Sequence, residues 1–278
     1  MKTVGFIDYY LDNFHSNNYP KWIKEASDGE IEAKYAWAKI DSPSGMTTEK
    51  WCEKNNIKHI DSIEELVEIS DYIIVLAPDN PEVHEELCQI PLRSGKRIYV
   101  DKSFAPNREI AKRLFNIAEE NNTPMFTSSA LRFSDELKEI NKDNIDFIMS
   151  AGPGEADSYL IHQAEPIVSL MGYESKRIMS IGTKITPSWV IEFCDGRKAT
   201  MSLFGWDCPF SLKINKEQRQ LIDIDITTEY FIRFVENMVD FFRTGQVKVD
   251  KKETLAVMSI CQKARECIDN TGVWYELD

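Results

Sequence analysis

No Cys-x-x-Cys spacing occurs among the six cysteines (Cys52, Cys88, Cys194, Cys208, Cys261 and Cys267). The four histidines (His15, His59, His84 and His162) form no paired metal-ligand motif. The first absence is the pattern of reduced cytosolic thiols, and the second leaves no metal site to propose. No apolar run is long enough to span a bilayer. The opening Met1-Lys2-Thr3-Val4-Gly5-Phe6-Ile7-Asp8 is too short in its apolar part, and too soon acidic, for a signal peptide. The expected location is therefore cytoplasmic, with no membrane partner. Basic residues are outnumbered 33 to 46, a net charge of −13. Such a balance disfavours a nucleic-acid surface, which needs clustered Lys and Arg. There is no internal repeat, no low-complexity tract, no Gly-x-Ser-x-Gly elbow and no phosphate-binding Walker loop.

What remains is an ordinary globular composition, 42% hydrophobic and 11% aromatic, in a chain of 278 residues. That length allows one large domain or two modest ones. Strands are expected at Val4–Ile7, Glu30–Ile40, Ile57–Ile60, Asp71–Ala77, Arg97–Val100 and Met125–Thr127. Helices are expected over Pro20–Ala26, from Thr47 or Thr48 to Asn55, from Ser62, over Pro81–Gln89 and over Asn107–Asn121. Strand and helix alternate in units of about 25 to 35 residues, which argues for a parallel, doubly wound sheet. Near residue 130 the pattern changes. Strands are expected at Ile145–Ser150, Arg177–Lys184, Trp189–Cys194, Lys198–Phe204, Phe210–Ile214 and Trp274–Leu277, most with no room for crossover helices. Asp195-Gly196 is a hairpin signal, and Gly152-Pro153-Gly154 reads as a turn. Helices are expected at about Asp157–Met171, Thr227–Thr244 and Lys252–Asn270. The chain is thus α/β throughout: residues 1–128 form a parallel doubly wound domain, and residues 129–278 an α/β domain with an open, mostly antiparallel sheet.

Ligands of open α/β sheets bind beyond the carboxyl ends of the strands. Arg97–Val100 ends on Asp101 and Lys102, which sets an ammonium at that edge, either for chemistry or simply in solvent. A dinucleotide-binding fold carries Gly-x-Gly-x-x-Gly after its first strand, so that backbone and helix N-terminus can approach a pyrophosphate. Here those three positions are Asp8, Tyr10 and Asn13, whose side chains take up that space. Asp41 closes the second strand, either to bond a ribose or as a helix-capping or turn residue beside Ser42-Pro43. Ala77-Pro78 follows the third main strand, with His84 in the next helix, more simply a structural or surface residue. His162 and Glu165 are three apart and share a helix face, either for proton transfer or as an ion pair; Asp157 and Ser158 precede them by about one turn. Arg132, at the domain junction, either binds an acidic or hydroxylated ligand or forms an interdomain salt bridge. Trp189 and Trp206 read as packing residues.

Together these residues resemble the Gfo/Idh/MocA family (glucose–fructose oxidoreductase and inositol dehydrogenase) over nearly the whole chain. Asp71 to Pro78 with His84 resembles its strand, Pro and following His. Val100-Asp101-Lys102-Ser103 resembles its Glu-Lys-Pro element, with Asp for Glu and Ser for Pro. His162-Gln163-Ala164-Glu165 through Gly172 resembles its His-x-x-Asp and trailing Gly, and His15 a His after the glycine loop. The resemblance implies a Rossmann-like first domain holding NAD or NADP and hydride transfer to or from a sugar, polyol or related small carbonyl compound. It also implies that Lys102 and His162 orient the substrate and manage its proton, with Glu165 in support and Asp157 nearby. Asp8, Tyr10, Asn13, Asp41, Ala77, Pro78 and His84 would line the cofactor; Arg132 and Ser158 would face the substrate. Two departures stand out: the glycines are missing, and the family's Asp four residues before the His falls on Ser158. Two functions follow, an NAD(P)-dependent oxidoreductase or a small-ligand-binding or regulatory protein that has lost ordinary dinucleotide binding. The open sheet, with one face uncovered, predicts a homodimer or homotetramer.

Overall fold

The computed structural model describes residues 1–216 and 220–278. It divides into two units, Met1–Ser128 with Phe231–Asp250, and Ser129–Tyr230 with Lys251–Asp278. The first unit opens with β1 (Lys2–Asp8), α1 (Phe14–Ala26), β2 (Ile31–Ala38), α2 (Thr48–Asn55), β3 (Lys58–His59) and α3 (Ile63–Ile69). It continues with β4 (Tyr72–Val75), α4 (His84–Leu87), β5 (Arg97–Val100), α5 (Arg108–Glu120) and β6 (Met125–Phe126). Its six strands are all parallel, in the order β3-β2-β1-β4-β5-β6, which is the doubly wound arrangement. Val4, Phe6, Ile7, Ile73, Ile74, Val75, Ile98 and Val100 are wholly buried, as expected of strands covered on both faces. Gly5 is needed for that cover: a Cβ there would lie 2.5 Å from Leu66 of α3.

The second unit holds α6 (Asp135–Lys138), β7 (Ile145–Pro153), α7 (Ile161–Met171), β8 (Ser175–Ser180), β9 (Ser188–Phe193), β10 (Lys198–Phe204), β11 (Ser211–Lys216) and β12 (Gln220–Asp225). After α8 (Tyr230–Thr244) it resumes with α9 (Lys251–Cys267) and β13 (Trp274–Glu276). The strand order is β12-β11-β7-β10-β9-β8-β13, antiparallel except where β7 runs beside β10. Helices cover one face: Trp189 of β9 is buried and donates from Nε1 to the Ala264 carbonyl of α9 at 2.9 Å. The other face is open, with Met149, Phe204 and Leu221 exposed.

Several boundaries differ from expectation. The first helix starts at Phe14, six residues before Pro20, because Asn13 forms a strong cap there. Pro20 then sits inside the helix and removes one backbone bond. The segment after Pro81 is a short 3-10 turn, Pro81–Val83, followed by one turn of α4. β7 continues through Gly152 to Pro153, and α7 begins only at Ile161, leaving Asp157 and Ser158 in the preceding turn. β12 was not expected, although Leu221-Ile222-Asp223-Ile224-Asp225 alternates with the period of a strand. Finally, most of α8 returns to the first unit. There Phe234 meets the rings of Tyr99 and Tyr19 at 5.1 and 6.1 Å, and Phe242 stacks on Tyr72 at 4.8 Å. Each such aromatic pair adds about 0.5–1.5 kcal/mol beyond its buried area.

Candidate functional site

The carboxyl edge of the first unit's sheet gathers charged groups that are almost out of water. Asp101 is wholly buried at the end of β5. Its Oδ2 pairs with His15 Nδ1 at 2.9 Å, and its Oδ1 accepts from the Tyr99 hydroxyl at 3.0 Å. Burial would push the Asp101 carboxyl up, but the charge and hydrogen bond of His15, with Lys102 and His84 nearby, hold it below the usual range. Lys102 is 8% exposed, and its Nζ donates to the Pro78 carbonyl at 2.6 Å and to Asp79 Oδ1 at 3.1 Å. An ammonium has three protons, so one is left for a ligand. Ser103 beside it and Ala77 across from it take left-handed φ values of 56° and 122°. For residues other than glycine such backbone costs about 1–3 kcal/mol and concentrates at functional sites. His84 is fully buried with Nδ1 3.1 Å from the Phe104 carbonyl, and burial holds its imidazole below the ordinary range. It reads as a neutral structural residue.

The loop after β1 is tied down by its own side chains. Asn13 Oδ1 accepts from the backbone N–H groups of His15 and Ser16 at 3.0 and 3.1 Å, while Ser16 Oγ accepts from the Asn13 N–H. This is a reciprocal capping box. Asn13 Nδ2 donates to Asp8 Oδ2 at 2.8 Å and to the Tyr10 carbonyl at 2.9 Å. Asp12, at a left-handed φ of 68°, accepts from the Met46 N–H at 2.8 Å and from Asn17 at 3.0 Å, and these bonds keep its carboxylate ionised. Asp8 is wholly buried, and burial, with Asp101 adding repulsion, raises its carboxyl well above the usual range. Burial, then Asp79 and Asp8, also raises the half-buried Tyr10 phenol. Asp41 caps α2, accepting from the Thr48 N–H at 2.7 Å.

In the second unit, two side chains of α7 converge on Ser129. His162 Nδ1 lies 2.7 Å from Ser129 Oγ, and Glu165 Oε1 accepts from the Ser129 N–H at 3.1 Å. Histidine and glutamate therefore share a hydroxyl-bearing residue. Arg132 is committed to Glu253 and Glu165, the latter at 3.7 Å, so both its partners lie in its own unit. Aromatic rings surround His162: Tyr159 meets it edge-on at 5.0 Å and Phe210 at 5.7 Å. Trp206 departs from the packing role expected of it. Its ring is 62% exposed and stands perpendicular to Tyr159 at 4.8 Å. Asp157 is exposed and Ser158 half-buried, and neither has a bond to His162. Ser129, Tyr99 and the His15–Asp101 pair escaped sequence reasoning, because no local spacing signals partners 33 or 86 residues apart. Among the described residues no group of three or more His, Cys, Asp or Glu is placed to hold a metal ion.

Residues 13–128 match the oxidoreductase family with an NAD-binding Rossmann fold. An uncharacterised oxidoreductase of Schizosaccharomyces pombe is 25% identical over 123 residues, 44% of this chain but only 29% of the relative. Solved structures agree in fold. The gentamicin A biosynthesis protein GenD2, solved in complex with NAD, superposes with a TM-score of 0.80 at 12% identity, over 100% of this chain and 97% of that one. A probable dehydrogenase from Thermotoga maritima gives 0.78 at 13% identity, over 99% and 98%. The WlbA dehydrogenase from Bordetella pertussis, solved with NADH and UDP-GlcNAcA, gives 0.77 at 12% identity, over 100% and 99%. Against that background the start of α1 is unusual. A pyrophosphate needs free backbone N–H groups at a helix N-terminus. Here Asn13 accepts from two of them, and the ionised Asp12 precedes it. The residues present do not fit a dinucleotide seated on α1 in the ordinary way.

Proposed function

We propose that this chain, whose N-terminal unit belongs to the Gfo/Idh/MocA family of oxidoreductases, acts as an oxidoreductase on a sugar, polyol or related small hydroxylated compound. The observation that carries this reading is Lys102. A nearly buried ammonium at the end of β5, with one proton uncommitted, supplies positive charge to a ligand oxygen as that oxygen becomes more negative. In the second unit, His162, beside Ser129 and flanked by aromatic rings, offers a proton-handling group of its own, with Glu165 bonded to the Ser129 backbone N–H. The family implies NAD or NADP as the redox partner, yet the capped start of α1 withholds the usual seat. A cofactor that binds this chain is therefore held away from α1.

The same cap favours a second reading, a small-ligand-binding or regulatory protein that keeps the fold without the dinucleotide. Titration with NADH and with NADPH, followed by calorimetry, separates the two. Saturable binding below the millimolar range supports the oxidoreductase. No binding at millimolar cofactor sinks it and leaves the second reading. Where binding occurs, Lys102→Ala should lower turnover at least about a hundredfold, the scale of one lost charge-stabilising donor, with cofactor affinity kept.

The open face of the second unit's sheet, with Met149, Phe204 and Leu221 exposed, supports pairing of two copies through it. Light scattering should give about twice or four times the 32.1 kDa chain mass. A monomer at micromolar concentration would reject this assembly. The six free thiols suit a reducing, cytoplasmic setting.

A further inference from the structure

We infer that His15 is a ligand-facing acid–base residue of the first unit, and that Asp101 and Tyr99 are the residues that position it. This goes beyond the proposed function and does not depend on which cofactor, if any, the chain holds.

Four observations carry it. First, His15 lies in the first turn of α1, directly after β1, and its partner Asp101 ends β5. Both strands of the parallel sheet deliver their carboxyl ends to the edge where such folds bind ligands. Second, the imidazole is held by one nitrogen only. Nδ1 meets the buried Asp101 carboxylate at 2.9 Å, whereas Nε2 has no partner among the described residues. Unlike the corresponding nitrogen of His84, it is not sealed from solvent, and the side chain stays 9% exposed.

Third, the carboxylate that holds His15 is itself immobilised. The Tyr99 hydroxyl donates to Asp101 Oδ1 and lies 3.1 Å from the Ser128 carbonyl. The Asp101 N–H donates to the Val75 carbonyl at 2.8 Å, and Thr127 Oγ1 donates to the Asp101 carbonyl at 3.0 Å. Fourth, the ring is fixed in orientation, stacked on Tyr19 with centroids 5.1 Å apart and planes 9° from parallel. A carboxylate can only accept, so Nδ1 must carry a proton. The neutral ring then presents an Nε2 lone pair. This is the logic by which a buried Asp orients a catalytic imidazole.

The ligand is a compound with a hydroxyl or carbonyl oxygen. In one direction its O–H bond breaks as the Nε2–H bond forms, leaving the ring positive against Asp101 and the oxygen negative. In the other direction Nε2–H returns the proton. Only a proton moves, so no oxidant or reductant is consumed in this step.

Long-range ¹⁵N–¹H correlation on the whole chain at about pH 8.5, above the usual imidazole range, tests the tautomer without a ligand. Wild-type His15, assigned by comparison with His15→Gln, should show a proton on Nδ1 and none on Nε2. An Nε2–H tautomer, or a ring bearing both protons, overturns the proposal. Diethyl pyrocarbonate with peptide mapping tests access. His15 should be modified at Nε2 while buried His84 is spared; an unmodified His15 beside a modified, exposed His59 also overturns it. Asp101→Asn, whose amide can donate where the carboxylate cannot, should move the proton to Nε2 and cut the His15 modification rate at least fivefold. An unchanged tautomer in a folded Asp101→Asn chain refutes the positioning role, and the wild-type measurements decide the question if that variant does not fold.

Discussion

Two histidines, one in each unit, are held through Nδ1, but by different chemistry. His15 leans on the buried carboxylate of Asp101, whereas His162 leans on the hydroxyl of Ser129. A carboxylate accepts and never donates, so it dictates which nitrogen carries the proton. A hydroxyl can do either and leaves that choice to the surroundings. The first unit therefore holds a ring with a set proton, whereas in the second the Ser129 hydroxyl by itself does not set one.

The largest test of this contrast removes the charge. Asp101→Ala should cost about 3–5 kcal/mol, the usual result of breaking a buried pair, measured as a fall in the urea midpoint. A cost under about 1 kcal/mol would mean that His15 and Asp101 are not coupled. Ser129→Ala should cost less, about 0.5–1.5 kcal/mol for each Oγ bond lost, to His162 and to the Leu131 N–H, because the Glu165 bond to its backbone N–H survives the change. If the two variants lost equal stability, the distinction between charged and neutral support would fail.

Asp8 sharpens the comparison through pH. Its folded carboxyl sits above the ordinary range because of burial and, next in importance among the unfavourable influences, the Asp101 charge. At low pH both folded and unfolded chains hold that proton. As pH rises from about 4, the unfolded chain ionises first, and the folded chain loses stability until Asp8 itself ionises. Asp8→Asn removes this penalty. Its advantage over wild type should grow as pH rises above about 4, by up to about 1.4 kcal/mol per pH unit. A difference that did not vary with pH would show that Asp8 is ionised in the folded chain. The smallest effect is expected at the α1 cap. Asn13→Gly should lose only a few tenths of a kcal/mol, against about 1 for Asn13→Ala. A larger loss for glycine would place the Asn13 bonds to Asp8 and Tyr10 above the cap in importance.

The scaffold was largely legible because its signals are local. Arg97–Val100 and Lys198–Phe204 stand where their apolar patterns put them, and Thr47, Ser62 and Asn107 cap the helices they were expected to start. Pro20 misled because a proline suits a helix start, while the stronger signal was Asn13 with Ser16 three residues on. The site was less legible. Lys102 could be placed at a strand end, but not the acceptors that take two of its protons. Arg132 could be placed near a junction, but not the two carboxylates that engage it. Such pairings join residues remote in sequence, and periodicity carries no information about them.

The return of α8 to the first unit bears on how the chain folds as it is made. When a ribosome has released residue 128, all six strands of the first sheet are out, but Phe234 and Phe242 are not. Tyr19, Tyr72 and Tyr99 then lack the rings that pack against them in the finished unit. The first unit therefore cannot finish until residues 129–230 of the second have also been made. For the hundred or so residues in between, at the usual pace of synthesis about 5–20 s, its unfinished aromatic surface is where a chaperone or a misfolding partner would find the chain.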